Sequence, residues 1–526
     1  YQKQKEALEK QETRIQLLEE KTKELEFLNA MLSDRLTLAQ RKRFGVSSEK
    51  YADGYTQLDL FNEAEQEADP NAPEPDLEEV HPSSYKRKKR SGKKEKDLSS
   101  FETTEVIEYK LTGADRYCPD CNTKYKVVTK ETVKRLKFVP ARFEVVEEVT
   151  FVYSCPKCGA MKRPEKTPSL LKGSVATPSL VSGIMNAKYV NGLPLYRISQ
   201  EFLRNDIHIS KQVMANWMIQ CADRYLGILY DYLHKELYRF HVLQADETPV
   251  MVSKDGRPAN SRSYMWIYRT GKIYKDTPIV LYEYQRTRKA DHPREFLNGF
   301  TGVVVCDGYS AYRKLDRENP DITFAGCWTH ARRYFSDALK ALPKEAQKAA
   351  KDTVAYEAVK RIGAIYHQDN QLAALEPDDR KKQRQITVKP LVEAFFAWVK
   401  EIQSSNRLPK GKTLEGINYC INQEETLKVF LNDGEVPLDN NVTEGALRSF
   451  CLHKHAWKLI DSIDGAKSSA IIYSITETAK ANNLNPFRYL DHVLTVLKDH
   501  QDDTDYSFIE ELLPWSDQLL EICRSK

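Results

Sequence analysis

The chain has 526 residues, 41% of them hydrophobic, which is material for roughly two to four separately cored units rather than one. Basic and acidic residues nearly balance, 80 against 76, for a formal charge of +4, so net charge does not diagnose a nucleic-acid partner and local clusters must carry that argument. There is no leader pattern and no apolar run of the roughly eighteen residues a membrane helix needs, which predicts a soluble, cytoplasmic protein, and ten cysteines in so long a chain do not suggest a disulfide scaffold.

Heptad positions from Leu8 read Leu8, Gln11, Ile15, Leu18, Thr22, Leu25, Asn29, Leu32 and Leu36, with Lys and Glu between them and no Pro or Gly. This predicts a short N-terminal coiled coil, with Asn29 fixing the register of a parallel homodimer; the alternative is one amphipathic helix docked on its own domain. Residues 63–79 are acidic and 86–96 almost wholly basic, so neither can bury a core. The basic run is either a phosphate-following segment or a solvated linker.

Cys118-Pro-Asp-Cys121 and Cys155-Pro-Lys-Cys158 flank a stretch that alternates like strands through Phe143, Val145, Val149, Phe151 and Tyr153. Four thiolates in two such knuckles suit one structural Zn²⁺ in a ribbon-like module. From 175 to 235 the pattern turns helical. Segments opening at Pro194 and Ser210 around an Asn205-to-His208 turn read as a helix-turn-helix whose second helix presents Lys211, Gln212 and Asn216 to a DNA groove, or as a helical pair that merely packs.

Strands are expected at 241–253, 263–270, 277–284, 302–307 and 322–328, with a helix around 292–299. Three strands joined by hairpins, then strand, helix and strand, is the order of a ribonuclease-H-like mixed sheet. Asp246 lies in the first strand and Asp307 ends the apolar run Val303-Val-Val-Cys306, at the carboxyl edge where such sheets bind ligands. If the first and fourth strands are neighbours, the two carboxylates meet. Taken singly, Asp307 before Gly308 also reads as a turn residue, and Asp246 as an acceptor of backbone hydrogen bonds.

Glu444 follows Asn441 by three residues, the spacing of a capping box, yet Arg448 stands one turn on and Lys454 and Trp457 lie beyond. With both aspartates it would complete a three-carboxylate site for two Mg²⁺ or Mn²⁺ ions, the hard cations that oxygen ligands favour and that activate and stabilise the oxygens of an in-line phosphoryl transfer. His330, in Cys327-x-x-His330, is expected to orient a carboxylate or touch phosphate beside Arg332 and Arg333 rather than to bind metal. Residues between 335 and 435 read as a charged helical insertion, and those from 465 to 499 as amphipathic helix.

These segments together resemble the DDE transposases of the bacterial insertion-sequence IS-sixty-six family. The resemblance runs through Phe44-Gly-Val-Ser-Ser-Glu-Lys50, both Cys-x-x-Cys pairs, Leu193-Pro-Leu-Tyr-Arg197, Ala245-Asp-Glu-Thr248, Asp307-Gly-Tyr309, Cys327-Trp-Thr-His-Ala-Arg-Arg333 and Asp439-Asn-Asn-Val-Thr-Glu444. It implies that Asp246, Asp307 and Glu444 are the catalytic, metal-binding triad, that terminal repeats and target DNA are the substrates, and that small companion proteins of the same element assist. The expected multidomain α+β chain is a coiled coil (1–45), charged linker (46–100), zinc module (101–165), helical DNA-binding segment (166–235), ribonuclease-H-like core (236–340), helical insertion (341–436), core with the glutamate helix (437–500) and tail (501–526). The rival readings are a structure-selective nuclease that cuts without joining and a non-enzymatic zinc and zipper regulator.

Overall fold

The computed structural model describes residues 122, 143–154, 161–162, 164–258, 261–342, 350–405, 408–457 and 460–524. The expected coiled coil, the charged linker and the four cysteines expected to hold zinc lie outside the described residues. Two compact units divide the chain, Val46–Glu165 in one and Tyr1–Gly45 with Lys166–Lys526 in the other. In the first, β1 (Tyr153–Ser154) and β2 (Met161–Lys162) pair antiparallel, so the strands that flank the second Cys-x-x-Cys sequence run in opposite directions.

The second unit starts with helices. Thr177 caps α1 (Pro178–Tyr189) by accepting the Leu180 N–H, with proline at the first helical position where no N–H is needed. After α2 (Leu195–Arg204), Asp206 takes φ +59°, a left-handed turn that Asp tolerates better than most residues, and Ser210 caps α3 (Lys211–Cys221) through the Val213 N–H. This is the helix, turn and helix expected from the sequence. Met214, Trp217, Met218 and Cys221 recur at helical spacing and are buried, which leaves Lys211, Gln212 and Asn216 exposed. A π-helical turn, Ala222–Leu226, leads into α4 (Gly227–Leu237).

A five-stranded sheet follows, with β3 (Val242–Val250), β5 (Ser263–Thr270), β6 (Val280–Gln285), β7 (Gly302–Cys306) and β8 (Ile322–Gly326) in the order β6-β5-β3-β7-β8. The β3, β5 and β6 pairs are antiparallel; β7 and β8 run parallel to β3. The first expected strand divides at Met251, and its continuation β4 (Val252–Lys254) leaves this sheet to pair with β9 (Ile460–Ser462). α5 (Asp291–Phe296) links β6 to β7, α6 (Ser310–Glu318) links β7 to β8, and α7 (Trp328–Ala341) leaves β8. Successive residues of β7 enter opposite cores: Val304 and Cys306 join one, Val303 and Val305 the other, so the strand reads as a continuous apolar run.

The insertion is helical, as expected: α8 (Val354–Gln371), α9 (Pro377–Gln383), a π-helical turn (Arg384–Val388), α10 (Lys389–Ser404), α11 (Gly411–Asn422) and α12 (Glu424–Lys428). Arg384 is fully buried. Its guanidinium grips both oxygens of Asp369 and donates from Nη1 to the carbonyls of Phe430, Asp433 and Val436 at 2.8, 2.8 and 2.9 Å. At Gly434 a Cβ would lie 1.8 Å from the Pro377 oxygen, so only glycine fits there. These contacts fix the segment that delivers the chain to α13 (Asn441–Trp457).

α14 (Ile463–Ala481) covers the outer edge of the sheet, and α15 (Pro486–Asp499) packs against α1. Thr478 and Ser474 substitute for a sixth strand: their hydroxyls accept the N–H groups of Val280 and Tyr282 at 3.0 and 2.7 Å, and Thr478 donates back to the Val280 carbonyl. An edge closed in this way cannot recruit another chain. Among the described residues no helix is long and apolar enough to cross a membrane.

On β6, Glu283 sits opposite Trp266, with one carboxylate oxygen accepting from Gln285 and the other buried without a partner. Burial pushes its carboxyl up to about 7. The folded chain then holds this proton more tightly than the unfolded one, so stability is full in acid and falls as pH rises from the ordinary carboxylate range through about 7. Glu283→Gln is expected to remove that slope. Thermal melts should show the variant more stable by on the order of 2 kcal/mol at about pH 8 and unchanged at about pH 5.

Candidate active site

The β3–β7 register pairs Val242 with Val303, Leu243 with Val304 and Gln244 with Val305. Carried two residues further, it sets Asp246 beside Asp307 on one sheet face, because both continue the parity of Gln244 and Val305. The Oδ1 atom of Asp246 accepts the Glu247 N–H at 2.8 Å, and that of Asp307 accepts the Tyr309 N–H at 2.9 Å, shaping the turn into α6. Gln423 donates to the Gly308 carbonyl, and a Cβ at Gly308 would meet the Tyr419 ring at 2.5 Å. The insertion thus presses directly on the turn that carries Asp307.

The glutamate helix is fastened to the same strand by buried amides. Gln244 Nε2 donates to the Asp439 carbonyl at 2.9 Å, Asn440 Nδ2 donates to the Ala245 carbonyl at 2.8 Å, and Thr443 Oγ1 donates to Gln244 Oε1 at 3.4 Å. Gln244, Asn440 and Thr443 are all fully buried. Further along, Cys451 lies 3.5 Å from the Thr248 hydroxyl and Lys454 donates to the Pro249 carbonyl, so α13 runs parallel to β3 with Glu444 in its first turn.

Burial pushes the Asp246 carboxyl well above the usual range, and the charges of Glu247, Asp307 and, more weakly, Glu444 push it the same way. Each of these acids is therefore within electrostatic reach of Asp246. Two arginines answer them. Arg288 contacts Glu247 through Nε at 2.5 Å, approaches Asp307 Oδ2 to 3.6 Å and stacks 3.7 Å above the Tyr309 ring. Glu247, one residue from Asp246 and so on the opposite face of β3, is pushed up to about 7, first by burial and then by Asp307, with Arg288 opposing both. Arg333 donates from Nη2 to both oxygens of Glu444 at 2.8 Å, and His330 Nε2 lies 3.8 Å from Oε1. Among the described residues no three acidic, histidine or cysteine side chains form a ready metal-binding cluster. Asp307 and Glu444 are both within electrostatic reach of Asp246, but Glu444 is turned to Arg333.

A capping box at Glu444 does not form. The Asn441 N–H is accepted by Asp439 at 3.2 Å, and the glutamate reaches across to α7 instead. Of the other candidate DNA contacts, Arg448 is exposed on α13, Arg332 is part-buried on α7, and Lys454 is the donor to Pro249. Lys211, Gln212 and Asn216 lie on the outer face of α3. Sequence reasoning did not assign Glu247, Arg288, Gln244 or Asn440. Alternation along β3 could have flagged Glu247 as facing away from Asp246, and Asn440 stands in a motif already singled out; Arg288 carries no local signal beyond the basic cluster Arg286-Thr-Arg-Lys289.

Two aspartates at the carboxyl edge of a mixed sheet thus stand near a glutamate brought in on a late helix after a long helical insertion. Family comparison gives the class, a transposase: residues 173–468 match the model described as Transposase IS66 family, 474–515 the IS66 C-terminal element, 115–159 the zinc-finger binding domain of transposase IS66, and 31–100 the Transposase C of IS166 homeodomain. The chain belongs to the IS66 transposase family. It is also similar to the uncharacterized proteins y4qI and y4hP of Sinorhizobium fredii, each 28% identical over 76% of this chain and 73% of the relative, and to y4jD of the same organism, 26% identical over 76% and 78%. The zinc-finger match spans all four cysteines of the two Cys-x-x-Cys pairs.

Asn440→Ala would leave the buried Ala245 carbonyl without its donor. Denaturant unfolding should show a loss of about 1–3 kcal/mol, while Asn441→Ala, at an exposed position, costs less.

Proposed function

We propose that this protein is a DDE transposase that binds the ends of an insertion sequence, cleaves the DNA there and transfers the exposed 3′ ends to a target. The observation that supports the reading is that the charges of Asp307 and Glu444, drawn from positions far apart in the chain, both reach Asp246 on a five-stranded mixed sheet of order β6-β5-β3-β7-β8. Their donors are carboxylate oxygens, and Asp246, raised first by burial and then by the neighbouring acids, is a group whose ionised form a divalent cation would stabilise, so the residues fit Mg²⁺ or Mn²⁺, two per site. When bound, such ions supply charge neutralisation and an activated water or 3′-hydroxyl for in-line phosphoryl transfer.

The chain's own residues supply the rest. The Gln244–Asn440–Thr443 hydrogen bonds hold the glutamate helix against the aspartate strand. His330, Arg332, Arg333, Arg448 and Lys454 edge the site with groups that seek phosphate, and Lys211, Gln212 and Asn216 present a polar face for a DNA groove. One zinc held by Cys118, Cys121, Cys155 and Cys158 orders the small unit, and the N-terminal heptads pair two copies so that two element ends are held together. The protein acts in the bacterial cytoplasm, on the nucleoid when DNA-bound, with companion proteins of the same element.

Purified protein incubated with labelled terminal repeats, supercoiled target and Mg²⁺ should give joined products; cut but unjoined ends would make it a nuclease, and intact substrate that is still bound would favour a regulator. Asp246→Ala, Asp307→Ala and Glu444→Ala are each expected to lower cleavage roughly a thousandfold, the loss of several kcal/mol of transition-state stabilisation, with DNA binding kept. Activity surviving one of them removes that residue from the site. Elemental analysis should find about one zinc per chain, lost in Cys118→Ser with Cys121→Ser.

A further inference from the structure

Arg333 and a divalent cation compete for Glu444 as it stands. The guanidinium donates to both carboxylate oxygens at 2.8 Å, and an ion on either oxygen would lie at about 2.1 Å, beside a positive nitrogen bonded to the same atom. The pair is also reachable: 37% of the Arg333 side chain and 22% of the Glu444 side chain are exposed. We infer that Arg333 is a substrate-sensing latch, which withholds Glu444 from metal in the DNA-free protein and releases it when a DNA phosphate takes the guanidinium. The inference rests on the reading of Asp246, Asp307 and Glu444 as a metal site and adds how that site is regulated.

The chemistry of the exchange is balanced. A phosphate presents anionic oxygens to which a guanidinium donates as it does to a carboxylate, so Arg333 trades one anion for another with little loss. Glu444 loses the guanidinium at that moment and keeps His330 at 3.8 Å and the charge of Asp246 within reach, which frees its oxygens for a hard cation. Linkage makes this reciprocal: whatever factor DNA adds to metal affinity, metal adds to DNA affinity. Arg288 does not play this part, because its closest contact is Glu247, it only approaches Asp307 at 3.6 Å, and it makes no ion pair with Glu444. The consequence is that a free transposase carries an incomplete metal site, and nonspecific hydrolysis is held down until the backbone is seated against α7.

Mn²⁺ binding to the full-length protein, followed by calorimetry or by electron paramagnetic resonance of free Mn²⁺, tests this without reading activity. In the wild type a short blunt duplex DNA should tighten Mn²⁺ binding about tenfold or more. In Arg333→Gln the DNA-free protein should already bind Mn²⁺ about that much more tightly, the duplex should add little, and the salt slope of DNA binding should fall by about one. Arg333→Lys, which keeps the charge, should retain part of the DNA dependence and controls for folding. If Mn²⁺ binds, depends on Asp246 as shown by Asp246→Asn, and is unchanged by Arg333→Gln, the latch is wrong while the metal site stands. If the wild type binds no Mn²⁺ with or without DNA, the metal site itself falls and takes the latch with it.

Discussion

A handful of buried amide hydrogen bonds determines whether this molecule has one site or scattered acids. Asp246 lies on an early strand and Glu444 on a helix almost two hundred residues later, and what joins their backbones is Gln244 to the Asp439 carbonyl and Asn440 to the Ala245 carbonyl, both separated by 195 residues in sequence. Gln244, Asn440 and Ala245 are fully buried, so breaking these bonds leaves amides or a carbonyl that water cannot reach, and that asymmetry enforces a single register between helix and strand. Apolar packing at Leu447 and Phe450 would hold α13 on the sheet, but it would tolerate sliding that the amides do not.

Around this fixed join, charge is deliberately unbalanced. Burial and neighbouring acids raise Asp246, and Glu247 behind it is raised in the same way although Arg288 touches it. A scaffold built only for stability would replace such groups by apolar ones at little cost. On the proposed reading a dication and a phosphate backbone would complete the charge balance; in the structure guanidinium groups stand against Glu444 and near Asp307.

Much of the sheet was legible because strands announce themselves by alternation and apolar runs. β5 falls on the expected 263–270, and Asp307 directly follows β7 as the run Val303 to Cys306 implies. The first strand was read too long, since Val250 and Val252 carry the same apolar signal on both sides of Met251 and nothing local says that the chain there changes partners to β9. Glu444 illustrates a different limit. An Asn three residues before a Glu encodes a cap in any helix, and only the arrival of Arg333 from α7 decides that the side chain turns elsewhere. Arg384 and Gln423 were illegible for the same reason, as their partners are backbone carbonyls, which leave no trace in a sequence pattern.

The long interruption between Asp307 and Glu444 raises the question of why the insertion does not loosen the site. A flexible loop of that length would deliver Glu444 with wide positional freedom, because closure entropy grows only slowly with length and does nothing to define geometry. The lobe instead shares one core with a face of the sheet, Trp328, Phe395, Phe396 and Phe430 packing in the same cluster as Val303 and Val305, and it is tied to the sheet where the chain returns. Trp328, at the head of α7, donates its indole N–H to the Leu427 carbonyl and its backbone N–H to that of Leu438, while Arg384 collects three carbonyls between Phe430 and Val436. The helix that bears Arg333 is thereby registered against the segment that leads to Glu444. Both halves of the ion pair are set by the same lobe, so a ligand that shifts the lobe against the sheet would act on Glu444 and on its arginine together.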